Sequence, residues 1–384
     1  MSRDKFTLGI RVKKRILQFI GSFHQGGSER QAIALTRRLK TDGTYNVFAA
    51  TLNRDGVLRD DVEQIGLPEI PEFRLTSFYD ANFFRQARRC AAYLKENKID
   101  LVHTHDFYTN VFGMTAATLA GVPVRIASKR ETSGMRSKAQ EFVEKLAFRR
   151  SNVIVANSLA VRDYLIARSI ADSKIKVIYN GLDLSRFENI DKDRAAICQK
   201  FGLRTDENAR FVTSVANLRH AVKNLPMLLR AAKTVINNVP DAQFVIAGEG
   251  GLKGELCESA AALGVADKVH FIGRCTDVPE LLGISYACVL TSSAEGFSNS
   301  ILEYMAAGKP VVATNVGGAA EAIIEATSGH LVASNDDAAM AVHLTNLLND
   351  EAKTVEFGAK GRKIIEENFS LDSQLKKTME LYGF

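Results

Sequence analysis

Short apolar runs rich in β-branched residues alternate along this chain with longer stretches of helical period, and the rhythm runs through once, pauses and restarts. Repetition of strand, helix, strand points to parallel sheets, because parallel neighbours need a long crossover and a helix supplies it. In the first half the expected strands are residues 15–20, 45–51, 101–103, 124–128, 153–157 and 176–179. In the second they are 211–215, 243–247, 269–272, 287–291 and 310–314. Among the expected helices, GGSERQAIALTRRLKTDG places Ala32, Leu35 and Leu39 on one face with Ser28 able to cap it, and residues 82–97 carry Phe83, Ala87, Ala91 and Leu94 on one stripe. The fold class is therefore α/β, with two doubly wound domains. Residues 1–183 form the first, the polar stretch 184–207 is the link, residues 208–355 form the second, and 356–384 is a terminal helical segment.

A length of 384 residues allows two domains of ordinary size, and 46% hydrophobic with 24% charged residues is a globular composition that excludes disorder as the main state. No window approaches the roughly 20 apolar residues of a membrane span, and the opening residues lack the pattern of a secretory signal, so a cytoplasmic protein is expected. The five cysteines are scattered and never in C-x2-C spacing, which speaks against a disulfide framework or structural zinc; they read as small buried residues. Charge is uneven. Residues 1–183 carry 30 Lys and Arg against 19 Asp and Glu, and the remainder 20 against 25. A basic first half suits a phosphate-bearing partner or an anionic membrane surface, and equally a merely soluble face.

In open parallel sheets ligands sit at the carboxyl ends of the strands, so two such domains facing each other would enclose a cleft lined by post-strand loops. Five clusters fall there. In GSFHQGGSER, residues 21–30, Gly26 and Gly27 allow close backbone approach at a helix start, although a tight strand-to-helix turn reads the same way. GEGGLKG, residues 248–254, misses the G-x-G-x-x-G spacing by one residue, which leaves dinucleotide binding weakly supported, and no Walker A motif is present. VANLRHAVKN offers Arg219 and Lys223 to a diphosphate, or a solvated basic loop. His103 and His105, two apart on a strand, project to one side, but no third metal ligand accompanies them. The D-x-D of Asp191-Lys192-Asp193 lies in the link rather than at a strand end, a poor place for a metal clamp. The fifth and richest run is TSSAEGFSNSILEYMAAGKPVVATNVGG, residues 291–318. Here a strand leads into a loop with Glu295, Gly296 and Phe297, a helix starts at Ser298 or Asn299 and carries Glu303, and Gly308-Lys309-Pro310 stops it. Backbone N–H groups at such a start suit a phosphate, and carboxylates accept from sugar hydroxyls.

This last run closely resembles the E-x7-E region of retaining GT-B glycosyltransferases of the family-four, or group 1, type. GGSERQ, DLVHTHDFYTNVFG, VIVANSLAVRDYL, KVIYNGLDLSRF, VANLRHAVKN, FVIAGEG and VHFIGRCTDVPELL extend the resemblance over nearly the whole chain. It implies a GT-B pair of domains, the second binding a nucleotide sugar and the first an acceptor, with a C-terminal helix crossing back to the first. It implies that Glu295 holds the donor sugar hydroxyls beside the backbone of Gly296 and Phe297, that the helix start at Ser298 and Asn299 and the ribose-gripping Glu303 belong to the donor site, and that Arg219 and Lys223 neutralise the diphosphate. Gly273 and Arg274 would flank the base, Gly26 and Gly27 would approach the donor phosphate, and His105 would be a polar contact near the reaction. Where many relatives carry Arg, this chain has Asn217; where many carry His after the strand 124–128, it has Lys129-Arg130-Glu131, which makes Lys129 and Arg130 the acceptor-side candidates. The implied reaction moves a hexose from a UDP- or GDP-sugar to a glycan or lipid-linked glycan, without a metal or other cofactor and without nucleic acid. The oligomeric state stays open.

Arg85, Arg88, Arg89 and Lys95 off the apolar stripe, with aromatics in FRLTSFYDANFF, suit peripheral contact with an anionic bilayer, or simply a soluble outer face. A sugar-nucleotide epimerase on two Rossmann-like domains, and an inactive nucleotide-sugar-binding module, are the competing functions.

Overall fold

The computed structural model describes residues 13–132, 136–188, 190, 193–203 and 208–383. These contain two parallel six-stranded sheets flanked by helices. The first sheet is built from β1 (Arg15–Ser22), β2 (Asn46–Asn53), β3 (Leu101–Thr104), β4 (Val124–Lys129), β5 (Val153–Ala156) and β6 (Ile175–Val177), in spatial order β2-β1-β3-β4-β5-β6. The second comprises β7 (Arg210–Val215), β8 (Ala242–Ala247), β9 (Val269–Gly273), β10 (Ser285–Leu290), β11 (Val311–Thr314) and β12 (Gly329–Val332), in order β12-β11-β10-β7-β8-β9. That second order is the doubly wound dinucleotide-fold order, reversing between β7 and β10; the first reverses between β1 and β3.

Strands buried on both faces explain the apolar runs. Every residue of β8 is buried, and on the helix Leu225–Asn238 the side chains of Leu225, Leu228, Leu229, Ala232 and Val235 make its inner face. β12 was not among the expected strands. Its four residues include His330 and begin with Gly329, where any side chain would collide with the Val311 carbonyl, so it lacks the β-branched run that marks the others. Ser28 does not cap the first long helix: Gly26 is the N-cap of Gly27–Asp42 without a side-chain bond, and Ser28 lies inside the first turn.

Contacts divide the described residues into two compact units. One holds 13–129, Ser137–Val155 and Tyr382; the other holds Ala156–Leu381 with 130–132 and 136. Segments 130–132 and 156–183, expected in the first domain, thus group with the second unit. The expected link is likewise part of that unit: Phe187, Ile197, Cys198 and Leu203 enter its core, and Asp193 caps the helix Arg194–Lys200 by accepting from the Ala195 and Ala196 amides. Asp191 and Lys192 of the D-x-D lie outside the described residues. The expected terminal helical segment is the end of Glu351–Asn368 followed by Leu371–Tyr382. Cys257 is exposed, against expectation; the other four cysteines are buried. None of the described helices is long and apolar enough to cross a membrane.

Candidate active site

In the second unit the reversal of strand order brings the loops after β7 and β10 side by side. The ties between them are local and numerous. Thr291 Oγ1 donates to the Lys223 carbonyl at 2.8 Å, and the Ser293 amide and hydroxyl both donate to the Val222 carbonyl, at 2.8 and 3.2 Å. A single 3-10 turn, Ala221–Lys223, ends at Asn224, whose φ of 46° turns the chain into the helix Leu225–Asn238. That turn aims Lys223 at Glu295: Nζ donates to Oε1 at 2.6 Å, and Ser292 Oγ donates to the same oxygen at 2.7 Å. The two charged side chains are only 19% and 15% exposed. A cation and a carboxylate drawn partly out of water together are a costly pair of the kind that concentrates at functional sites.

The helix after this loop is Asn299–Ala306, with Ser298 as an N-cap that gives no side-chain bond. It is fixed to the end of β7 by two neighbours: the Val215 amide donates to the Tyr304 hydroxyl at 2.6 Å, and Ser300 Oγ donates to the Val215 carbonyl at 2.9 Å. Burial pushes the Tyr304 phenol far above its ordinary range, so it stays a neutral hydroxyl. On the same helix Glu303 is 1% exposed, with the Arg186 guanidinium 3.8 Å away. Arg186 was not singled out in the sequence; it sits in a 3-10 turn, Leu184–Phe187, that no periodicity announces.

Arg219 and Lys223 do not converge here. The turn at 221–223 separates them, and the Arg219 guanidinium meets Glu249 after β8 at 3.0 Å, both more than half exposed. The glycine-rich run after β8 is a backbone seam: a Cβ at Gly248 would strike the Ala216 carbonyl and one at Gly250 the Leu218 carbonyl, while Leu218 donates to Glu249 O at 2.9 Å. Gly273 closes β9 in the left-handed region at φ 73°, its carbonyl accepting from the Gly248 amide at 2.7 Å; Arg274 beside it is exposed. The Cys275 thiol that follows is buried and pushed up to about 11 by that burial, a neutral packing group. Phe297 is buried against Tyr179 and Phe369, with ring centroids 5.1 and 5.2 Å apart.

Arg130 belongs to the second unit, and its Nη1 donates to Asn180 Oδ1 at 2.7 Å. Lys129 belongs to the first and is 2% exposed, its ammonium donating to Glu144 Oε2 at 2.7 Å. Its place is therefore interior, not an accessible acceptor-side position. The strand end that carries it turns the side chain onto the helix Lys138–Arg150.

In the first unit the strand order reverses between β1 and β3, and the residues after those strands are the expected ones. Gly26 and Gly27 open the helix Gly27–Asp42, and a side chain at Gly26 would collide with the Glu29 carboxylate folded back over it. His105 follows β3, is 1% exposed, and shares a buried polar cluster: its Nε2 lies 2.8 Å from Gln18 Oε1, and its ring is 4.3 Å from that of His103. His103 in turn bonds the Tyr382 hydroxyl at 2.7 Å and Ser128 Oγ at 2.8 Å. Gln18 Nε2 donates to the Tyr382 hydroxyl at 2.9 Å, so that one oxygen joins Gln18 to His103. Both histidines are thus packed polar groups.

Known proteins place this geometry. The sequence model described as glycosyl transferases group 1 matches residues 198–364, and that described as glycosyltransferase family 4 matches 25–186. A D-inositol 3-phosphate glycosyltransferase of Salinispora arenicola is 30% identical over 74% of this chain and 68% of its own length. The corresponding Salinispora tropica protein is also 30% identical, the aligned part spanning 64% of its length. An Escherichia coli UDP-Gal:alpha-D-GlcNAc-diphosphoundecaprenol alpha-1,3-galactosyltransferase is 27% identical over 75% of the chain and 76% of its own. Among solved structures, Anabaena HepE in complex with UDP-glucose superposes with a TM-score of 0.84 at 22% identity, over 96% of this chain and 99% of that one, a likeness of fold. On these matches the chain belongs to the group 1, family-four type glycosyltransferases of the GT-B fold.

Proposed function

We propose that this protein is a retaining hexosyltransferase that takes its sugar from a nucleoside diphosphate, UDP before GDP, and passes it to a glycan or lipid-linked glycan. The observation that carries the reading is the Lys223–Glu295 pair at the point where the second sheet reverses its strand order. Breaking a sugar–phosphate bond develops positive charge on the sugar and negative charge on the departing diphosphate, so the largest demand is for cations and N–H donors at the phosphates. Lys223 answers it by transferring its hydrogen bond from Glu295 to a phosphate oxygen, which releases the Glu295 carboxylate to accept from sugar hydroxyls. The uncapped start of the helix Asn299–Ala306 adds backbone donors, Arg219 is long enough to leave Glu249 for the diphosphate, and Glu303 grips the ribose. Gly273 and Arg274 are proposed to flank the base. Retention would follow from same-face attack assisted by the leaving phosphate, so no Glu or Asp substitution should trap a covalent sugar adduct. The UDP preference is supported by the Escherichia coli relative's name.

A thermal-shift panel of UDP-, GDP- and ADP-sugars and NAD, with and without Mg2+, tests this. A UDP-sugar at one hundred times its Kd is expected to add about 2.7 kcal/mol of stability, equally in EDTA. Glu303→Ala should remove most of that stabilisation, whereas Glu295→Ala should suppress turnover and spare binding of bare UDP. A shift by NAD alone would overturn the assignment, and release of an altered sugar nucleotide without acceptor would make the protein an epimerase.

For the acceptor, we propose that the first unit works against an anionic bilayer. Supporting this, Tyr79, Phe84 and Tyr108 are 75%, 57% and 43% exposed, the Phe78 and Tyr108 rings are 5.4 Å apart, and Arg85 and Arg88 are exposed on the helix Ala81–Glu96. Co-sedimentation with phosphatidylglycerol vesicles should fall on raising salt from about 0.05 to about 0.5 M, and in a Phe84→Ser/Tyr108→Ser variant. Binding indifferent to salt and to lipid charge would sink it.

A further inference from the structure

Three consecutive carbonyls of the loop after β10 each accept a side-chain hydrogen bond, and the three donors come from three different stretches of chain. Thr132 Oγ1 donates to Glu295 O at 2.8 Å, Ser158 Oγ to Gly296 O at 3.0 Å, and Asn180 Nδ2 to Phe297 O at 3.1 Å. These donors follow β4, β5 and β6, yet all belong to the second unit. We propose that Thr132, Ser158 and Asn180 form a clamp that sets the orientation of the Glu295 carboxylate and the backbone beside it, making them positioning residues for recognition of the donor sugar. This rests on the donor-site reading of Glu295 above.

Each donor is itself oriented. Ser158 Oγ accepts from the Val161 amide at 3.1 Å as the N-cap of the helix Leu159–Ala167, so its hydrogen is directed to Gly296 O. Arg130 Nη1 donates to Asn180 Oδ1 at 2.7 Å, which turns the amide nitrogen toward Phe297 O and also toward Asn299 Oδ1 at 2.8 Å. The loop has little room to drift. A Cβ on Gly296 would strike the Arg130 carbonyl, and one on Gly318 would lie 2.8 Å from Ser158 Cβ, while the Gly318 amide adds a second bond to Gly296 O at 2.8 Å. A loop held only for stability could be tied by backbone alone. Three side-chain donors fix a direction, and fixed donors and carboxylates need no reorganisation when charge develops in the transition state.

The test measures the affinities of UDP-sugar and bare UDP by calorimetry, together with kcat and KM, in Thr132→Val, Asn180→Asp and the conservative Thr132→Ser. Thr132→Val keeps the shape and loses one donor. It is expected to lower kcat, and the preference for UDP-sugar over UDP, roughly tenfold, about the worth of one hydrogen bond to a constrained group. Its UDP affinity and melting temperature should be unchanged, with recovery in Thr132→Ser. Asn180→Asp should act in the same direction and more strongly. Folded variants with wild-type kcat and preference, or with UDP affinity falling in step with UDP-sugar affinity, would overturn the clamp while Glu295→Ala still abolished the preference. A wild-type protein that binds no sugar nucleotide would instead overturn the donor reading, and the clamp with it.

Discussion

Replacing Lys223 by methionine is expected to reduce transfer by roughly 100- to 1,000-fold, the range for loss of one transition-state charge contact. The same change should destabilise the protein by about 2–3 kcal/mol. That is less than the figure for a fully buried pair broken on one side, because both side chains keep some contact with water. The two effects have one origin. The ammonium of Lys223 offsets the Glu295 carboxylate at 2.6 Å, and in the proposed reaction it would offset the leaving diphosphate instead. Methionine fills the same volume and supplies neither charge. Steady-state kinetics against a UDP-sugar, with a thermal melt of the same preparation, separates the two. Wild-type turnover in a folded Lys223→Met protein would remove this residue from the reaction.

Lys129→Met should have the larger effect on stability, about 3–5 kcal/mol, with a loss of about 2–4 °C in melting temperature per kcal/mol for a unit of this size. Lys129 and Glu144 are 3% and 4% exposed and 2.7 Å apart, so removal of the ammonium leaves a carboxylate in the interior without the cation that offsets its desolvation. Neutral polar groups stand beside the pair: Asn110 Nδ2 reaches Glu144 Oε1 at 3.4 Å and the Ser128 carbonyl at 2.8 Å, and Thr104 Oγ1 donates to Asn110 Oδ1 at 2.6 Å. Lys129→Met combined with Glu144→Leu should recover most of the loss, because a buried ion pair exchanged as a whole for apolar side chains of similar volume is often neutral. A single variant as stable as wild type would show that the pair contributes little.

The strand rhythm carried the architecture because parallel strands, buried on both faces, leave continuous apolar runs that composition cannot hide. β12 escaped because Gly329 is required by a close backbone approach rather than by a pattern. Within the candidate site, Glu295 and Glu303 stood out in one continuous string that resembles the family, and Lys223 in a second, VANLRHAVKN. Thr132, Ser158, Asn180 and Arg186 did not, because they act over separations of 163, 138 and 117 residues in the clamp and through a short 3-10 turn in the case of Arg186. A lone polar residue in a loop has no period, and solvation is its default reading. Lys129 differed in the complementary way: the resemblance made it an acceptor-side candidate, whereas the end of β4 turns it inward onto a carboxylate partner, Glu144.

Tyr382 bears on how the chain folds as it is made. Its hydroxyl satisfies Gln18 and His103, its carbonyl accepts from Lys14 at 3.1 Å, and its ring packs edge-on to Tyr45. Nearly all of that unit has been synthesised by Val155, so at about 5–20 residues per second it waits tens of seconds for Tyr382. Until then Gln18 and His103 lack that hydroxyl, and the packing around them is expected to be less stable. Nascent chains stalled before residue 382 should therefore be more open to proteases at β1 and β3 than chains that include it, so native packing of this unit is deferred until Tyr382 has been made.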